Sequence, residues 1–153
     1  MKQNLLKTAS RLTQPPESAL TEFRVKHESL AESCTQKMVK RSDLDKLIGK
    51  GNLEMMSDNN RNFSRFMLSL FTEYNPDVLV ETVLWVFQAY RSHGFQTTFW
   101  AAHLNTWMEQ ISSELSNESL EAISPFYHWL IVNIPIFAKL TDETIAEFSD
   151  DNG

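Results

Sequence analysis

Four histidines (His27, His93, His103 and His128) and one cysteine, Cys34, are the side chains of this 153-residue chain best suited to ligate a metal or act as base or nucleophile. A metal site built in a helical bundle needs Glu-x-x-His, which sets a carboxylate and an imidazole on one helix face. The residues three before the histidines are Arg24, Tyr90, Trp100 and Pro125, so that spacing is absent, as is His-Glu-x-x-His. Gly49-Lys50-Gly51 lacks the long glycine-flanked span and the Lys-Ser/Thr of a phosphate loop, and reads as a helix break. With one cysteine, neither an intrachain disulfide nor a Cys-x-x-Cys zinc site can form. Cys34 falls on an apolar helical stripe, which points to a buried structural thiol. The acids of the C-terminal half spread over solvent faces and nominate no catalytic pair. The sequence therefore predicts no metal site and no enzyme.

Each histidine has its own expected place. His27 lies in a polar stretch and is expected on the surface. His93 stands at a helix end, where the helix dipole favours an imidazolium, and reads as a C-terminal cap. His103 shares a face with Trp100 and Trp107 and is the best candidate for a buried polar group, a core histidine bonded to a neighbouring helix or a ligand. His128, beside Trp129, suits a helix–helix or subunit interface. The seventeen aromatics have two readings: a well-filled core, or a pocket for a flat or long apolar ligand lined by Phe63, Phe66, Phe87, Tyr90, Phe99, Trp100, His103 and Trp107.

The elements that must position these residues are all helical in period. Residues 1–16 form a short amphipathic lead stopped by Pro15-Pro16. Leu20, Phe23, Leu30, Cys34 and Met38 make one stripe along a helix from Glu17 to about Arg41. A short turn follows at 43–48, then a helix over 53–74 with Phe63, Phe66, Met67, Leu70, Phe71 and Tyr74 on one face. Asn75-Pro76 is a strong start signal for a helix that is apolar nearly all round, expected to be the most buried, and ended by Gly94. Helices over 97–115 and 117–140 follow, the second kinked at Pro125 and Pro135. No segment alternates with period two. The expectation is an all-α fold of five or six main helices: a lead at 1–16, one domain over 17–148 and an acidic tail at 149–153.

Charge narrows the partners. Residues 1–50 carry ten Lys/Arg against six Asp/Glu, whereas residues 51–153 carry four against fourteen. An acidic, aromatic body repels phosphate backbones, so no nucleic-acid partner is expected. No apolar run approaches the roughly 18 residues of a membrane span. Single-cysteine usage and the lack of a secretory leader point to the cytoplasm.

One stretch is more specific: FQAYRSHGFQTTFWAAHLNTWMEQISSEL at 87–115, where a helix closes on Gly94-Phe95 and Phe99-Trp100 opens a long aromatic helix. It resembles the junction after the proximal helix of sensor globins, where His-x-x-x-Gly-Leu precedes a pair of aromatics. Tyr90 stands where the haem-ligating histidine would be, which puts haem-based gas sensing in doubt. The pattern over 87–140 is closest to the non-haem globin domains at the N-termini of stressosome sensor proteins. The resemblance implies a globin-like helical domain and a non-catalytic sensory or regulatory role. It implies a homodimer across the last two helices, with Trp107, Tyr127, His128 and Trp129 as interface candidates, and a regulatory protein partner. Such domains usually precede an output domain, so the chain is expected to be a stand-alone sensor or part of a larger one. No cofactor is required, although relatives hold a fatty-acid-like molecule where haem would sit. Two alternatives stand beside this: a haem or tetrapyrrole protein with Tyr90, His93 or His103 as axial ligand, and a ligand-free helical adaptor docking through His128-Trp129.

Overall fold

The computed structural model describes the backbone over residues 1–151 and the side chains over 1–144. Among these residues there are eight α-helices and no strand: α1 (Lys2–Ala9), α2 (Glu17–Val39), α3 (Leu44–Ile48), α4 (Leu53–Thr72), α5 (Pro76–Ser92), α6 (Thr97–Glu114), α7 (Asn117–Val132) and α8 (Ile134–Asp151). The expected all-α class is what the chain adopts. Six of the helices are long, although the set differs from the expected one at the C-terminal end.

Local chemistry sets the boundaries. Asn75 Oδ1 accepts from the backbone N–H groups of Asp77 (2.9 Å) and Val78 (3.4 Å), and Pro76, at the first helical position, has no N–H to leave unsatisfied. Ser116 Oγ accepts from Ser119 N in the same way to start α7. Gly94, at φ +100°, makes the left-handed step that turns α5 into α6 and buries Phe95 behind it. Asn52 bridges that corner to the α3–α4 loop: its amide donates to Ile48 O and to His93 O, both at 2.7 Å.

The expected single helix over 117–140 is two. Asn133 ends α7, its side chain folding back to donate to Trp129 O at 2.8 Å, and Pro135 is the second residue of α8. A proline in the first turn of a helix lacks only a donor that has no intrahelical acceptor, so Pro135 starts a helix where a kink was expected. Pro125 does lie inside α7. The expected tail at 149–153 begins as helix, since α8 runs to Asp151; residues 152 and 153 lie outside the described ones. The lead segment is part of the core: Leu5 and Ala9 are buried, Trp129 Nε1 donates to Thr8 Oγ1 (2.9 Å), and Tyr74 Oη donates to Ala9 O (2.5 Å).

Helix α2 packs on α4, α6 and α7. A polar chain crosses these layers: Trp107 Nε1 donates to Asn60 Oδ1 (3.0 Å), and Asn60 Nδ2 donates to Thr35 Oγ1 (2.8 Å). His27, expected on the surface, is buried against α4. Ser64 gives its proton to Arg61 O, so its Oγ accepts from His27 Nδ1 at 3.0 Å. The partner lies 37 residues away, which local polarity could not reveal. Cys34 is buried as expected, and burial raises its thiol far above the usual range.

The reverse correction concerns α5. Only Leu79, Val80 and Phe87 of its seventeen residues are buried, against eight of eighteen in α6, and Trp85 is 69% exposed. The helix packs chiefly on α1 and α8. Its apolar inner residues, Val83, Val86 and Tyr90, face a cavity in place of a neighbouring helix.

The α6–α7 corner is clamped by charge. Glu22 accepts from Ser116 N (3.0 Å), Ser116 Oγ (2.8 Å) and Lys26 Nζ (2.7 Å), and Lys26 also donates to Glu114 O (2.6 Å). The Lys26 ammonium, followed by hydroxyl donors, lowers the Glu22 carboxyl from the usual 4.5 to about 2. A folded-state value below the unfolded one gives stability that is present above about pH 4.5 and is lost as pH falls towards 2. The carboxylate is partly open to water, so we expect Glu22→Gln to lose about 1–2 kcal/mol at pH 7. Urea unfolding of both proteins should show the gap narrowing below pH 4 and closing near pH 2; a gap independent of pH would assign the loss to packing.

Candidate functional site

Beneath α5 lies a cavity of about 320 Å³. Asn59, Phe63 and Phe66 of α4 form one wall, Val83, Val86, Phe87 and Tyr90 of α5 the opposite one, and Trp100, His103 and Leu104 of α6 the floor. Leu130, Ile134 and Phe137 close the end where α7 passes into α8, and the exposed Trp85 stands at the rim. Asn59, Phe63 and Phe66 share a face of α4 because they are four and seven residues apart, and Trp100, His103 and Leu104 are grouped likewise on α6.

Aromatic packing fixes these walls. Phe63 meets His103 edge to face at 5.0 Å, Trp107 at 5.3 Å and Tyr127 at 5.9 Å. Phe87 stacks on Trp100 at 5.1 Å and Phe99 on His103 at 5.3 Å. Tyr90 meets Phe95 at 5.0 Å and Trp100 at 6.0 Å, both edge to face. Offset and edge-on pairs of this kind hold ring orientation as well as burying area.

The chemistry of the cavity is neutral. No Lys, Arg, Asp or Glu is among its lining residues. Burial lowers His103 to about 3, so its imidazole is uncharged at neutral pH, and burial followed by the charge of Asp58 raises the Tyr90 phenol. Three lining side chains each hold a buried polar atom with no hydrogen-bond partner: Asn59 Nδ2, Trp100 Nε1 and His103 Nε2. A group left so is destabilising by about 1–3 kcal/mol. Tyr127 Oη is also unpartnered but does not line the cavity. Among the described residues no three His, Cys, Asp or Glu side chains gather to hold a metal ion, and no helix is long and apolar enough to cross a membrane.

Six of the eight residues read from the sequence as a pocket line this cavity: Phe63, Phe66, Phe87, Tyr90, Trp100 and His103. Phe99 and Trp107 do not, being wholly buried behind Trp100, His103 and Phe63. Of the three axial-ligand candidates, Tyr90 and His103 are on the wall, whereas His93 caps α5 and is exposed. The interface candidates separate too. Trp107, Tyr127 and Trp129 are core residues, and only His128 is exposed. The reason is that Tyr127 and Trp129 are spent inside the chain, Tyr127 stacked on Trp107 and Trp129 bonded to α1.

Sequence reading missed ten of the sixteen lining residues, among them Asn59, Val83, Val86, Leu104 and Ile134. Asn59 was within reach, four residues before Phe63 on the same helical face. No protein-family model matches the chain, and comparison with curated proteins and with solved structures gives no match either.

Because burial leaves His103 Nε2 without a hydrogen-bond partner, His103→Phe should stabilise the protein, by about 1 kcal/mol. Urea denaturation at pH 7 measures this. A loss of stability would mean that the imidazole already has a partner in solution.

Proposed function

We propose that this chain is a non-catalytic sensory or regulatory domain of globin-like build, which takes an apolar small molecule into the cavity beneath α5. The observation that carries the reading is the cavity itself, walled by aromatic and aliphatic side chains and roofed by a helix with few buried residues of its own. Its size falls in the range of small-molecule sites, which are mostly apolar with a few placed polar groups. Support for the globin-like build comes from Tyr90, which stands on the roof helix and on the cavity wall, where the resemblance puts the proximal ligand.

The response would run through α5. Its C-terminal end is tied to α8, where Arg91 donates to Ala138 O (3.1 Å) and Thr141 Oγ1 (2.8 Å) and pairs with Asp142. A molecule that wedges under α5 acts on α8 through these bonds, and α8 follows α7. On α7, His128 and Val132 lie one turn apart and are both exposed, and they are the surface this reading offers to a second copy or to a regulatory protein. Such a device needs two packings of similar energy between which a ligand chooses.

Haem is the second reading, favoured by Tyr90 and His103 lining one cavity. The fit is poor: the cavity has room for about two fused rings, judging from benzene in a cavity of about 150 Å³, and no cation lines it to pair propionates. Hemin titration checks this. We expect broad, unsaturable absorbance, and a sharp Soret band that shifts in His103→Ala or Tyr90→Phe would reverse the preference.

For the leading reading, naphthalene is the probe. It should raise the melting temperature of the native chain by a few degrees and slow hydrogen exchange over 76–92. Val83→Phe, which narrows the cavity, should weaken both effects without lowering the melting temperature of the protein measured without the probe. No shift in the native chain, or the same shift in Val83→Phe, would sink the proposal.

A further inference from the structure

The cavity beneath α5 is not sealed. Its lining residues on α6, Trp100, His103 and Leu104, are buried, and of all sixteen only Asn62 of α4 and Trp85 of α5 are exposed. The space therefore reaches water between α4 and α5, with Asn62 on one lip of the mouth and Trp85 on the other. Thr82, three residues before Trp85 on the same flank of α5, also lines the space and is half-buried.

The two lips differ in what water costs them. Asn62 is polar and loses nothing by facing solvent. Trp85 shows a large apolar side chain at 69% exposure, whereas Trp100, Trp107 and Trp129 are 6%, 0% and 7% exposed. Those three are held in place. Trp107 donates to Asn60, Trp129 donates to Thr8 and Trp100 stacks on Phe87, whereas no such hydrogen bond or ring pair holds Trp85 among the described residues. An exposed side chain changes rotamer within picoseconds to nanoseconds, which a packed ring cannot do. An occupant reaching the mouth would show water an apolar edge, and covering that edge with an indole removes both surfaces from water at once.

We propose that Trp85 is the lid of the ligand site: a molecule enters between α4 and α5, and the indole then folds over the mouth and covers its outer edge. The proposal rests on reading the cavity as a ligand site and adds the route in and the residue that governs escape. Because the indole already borders the cavity, it reaches the mouth by turning about its own side-chain bonds. Such a lid acts mainly on release, since the mouth stands open when the molecule arrives.

Fluorine spectra of the full chain labelled with 5-fluorotryptophan give one signal for each of the four tryptophans, and Trp85→Phe identifies its own by loss. Without a probe, the Trp85 signal should differ most between H₂O and D₂O, as befits the exposed ring. Naphthalene is again the probe. With it the Trp100 signal should move, because that ring lines the floor, and the Trp85 signal should move and lose at least about half of its solvent shift. Stopped-flow release of naphthalene should be at least about tenfold faster from Trp85→Ala than from the native chain, with Trp85→Phe between them. Trp85 is exposed, so neither variant takes a side chain from the core. A Trp100 signal that moves while Trp85 keeps its contact with water would overturn the lid and leave the cavity reading standing. Equal release rates from the native chain and Trp85→Ala would do the same. A Trp85 solvent shift that falls with protein concentration alone would assign the ring to a contact between copies, which also overturns the lid. Movement at Trp85 alone would put naphthalene outside the cavity, and movement at neither ring would mean that none binds; either result overturns both proposals together.

Discussion

Helix α5 is fixed at its ends and left unpacked along part of its middle, and the site depends on that. At the N-terminus Asn75 and Pro76 set its start without outside help. At the C-terminus Gly94 turns the chain sharply, Asn52 ties the His93 carbonyl to the α3–α4 loop, and Arg91 reaches α8. Between these anchors Phe63 and Phe66 stand on α4, while Val83 and Val86 look inward from α5 without closing on them. Proteins close-pack wherever their chains allow, so a space of this size survives only because its walls are stiff. The stiffness comes from rings held against rings, with Phe63 touching His103, Trp107 and Tyr127 at once.

Those rings are in turn held by polar bonds of high specificity. Trp107 packs behind Phe63 and is anchored through Asn60 to Thr35 on α2, a chain in which each buried group has a partner. One layer nearer the cavity, Trp100 and His103 have none. The contrast lies within one helix, α6, and between side chains a turn or two apart. Satisfied polar groups make a core unique, and unsatisfied ones in the same core act against it.

The sequence revealed the helices and most of the aromatic wall, and the reasons for its failures are physical. Asn75-Pro76 and Gly94 were legible because capping and left-handed turns need particular residue types at particular positions. Phe63, Phe66, Phe87, Tyr90, Trp100 and His103 were legible because aromatic side chains in register on an apolar helical face usually turn inward. The exposure of α5 was not, because periodicity records which face is apolar and is silent on whether that face meets a side chain or a void. Pro135 was misread because a proline near the end of one helix and one in the first turn of the next look identical in a stripe that keeps its phase. His27 and Trp129 found partners 37 and 121 residues away, on helices that no local pattern could place beside them.

A cavity beneath a helix and buried polar atoms without a protein partner act against the folded state, while folded domains keep only about 5–15 kcal/mol in hand. A ligand that binds only the folded chain returns stability in proportion to the logarithm of its concentration over its dissociation constant. Much of that gain belongs to a long helix with few buried residues of its own, which α5 is. Its few buried residues and its bonded end at Arg91 therefore belong together: the first lets the helix respond, and the second decides where the response goes. A roof packed as densely as α6 would hold the same molecule and transmit little, because its position would already be determined without it.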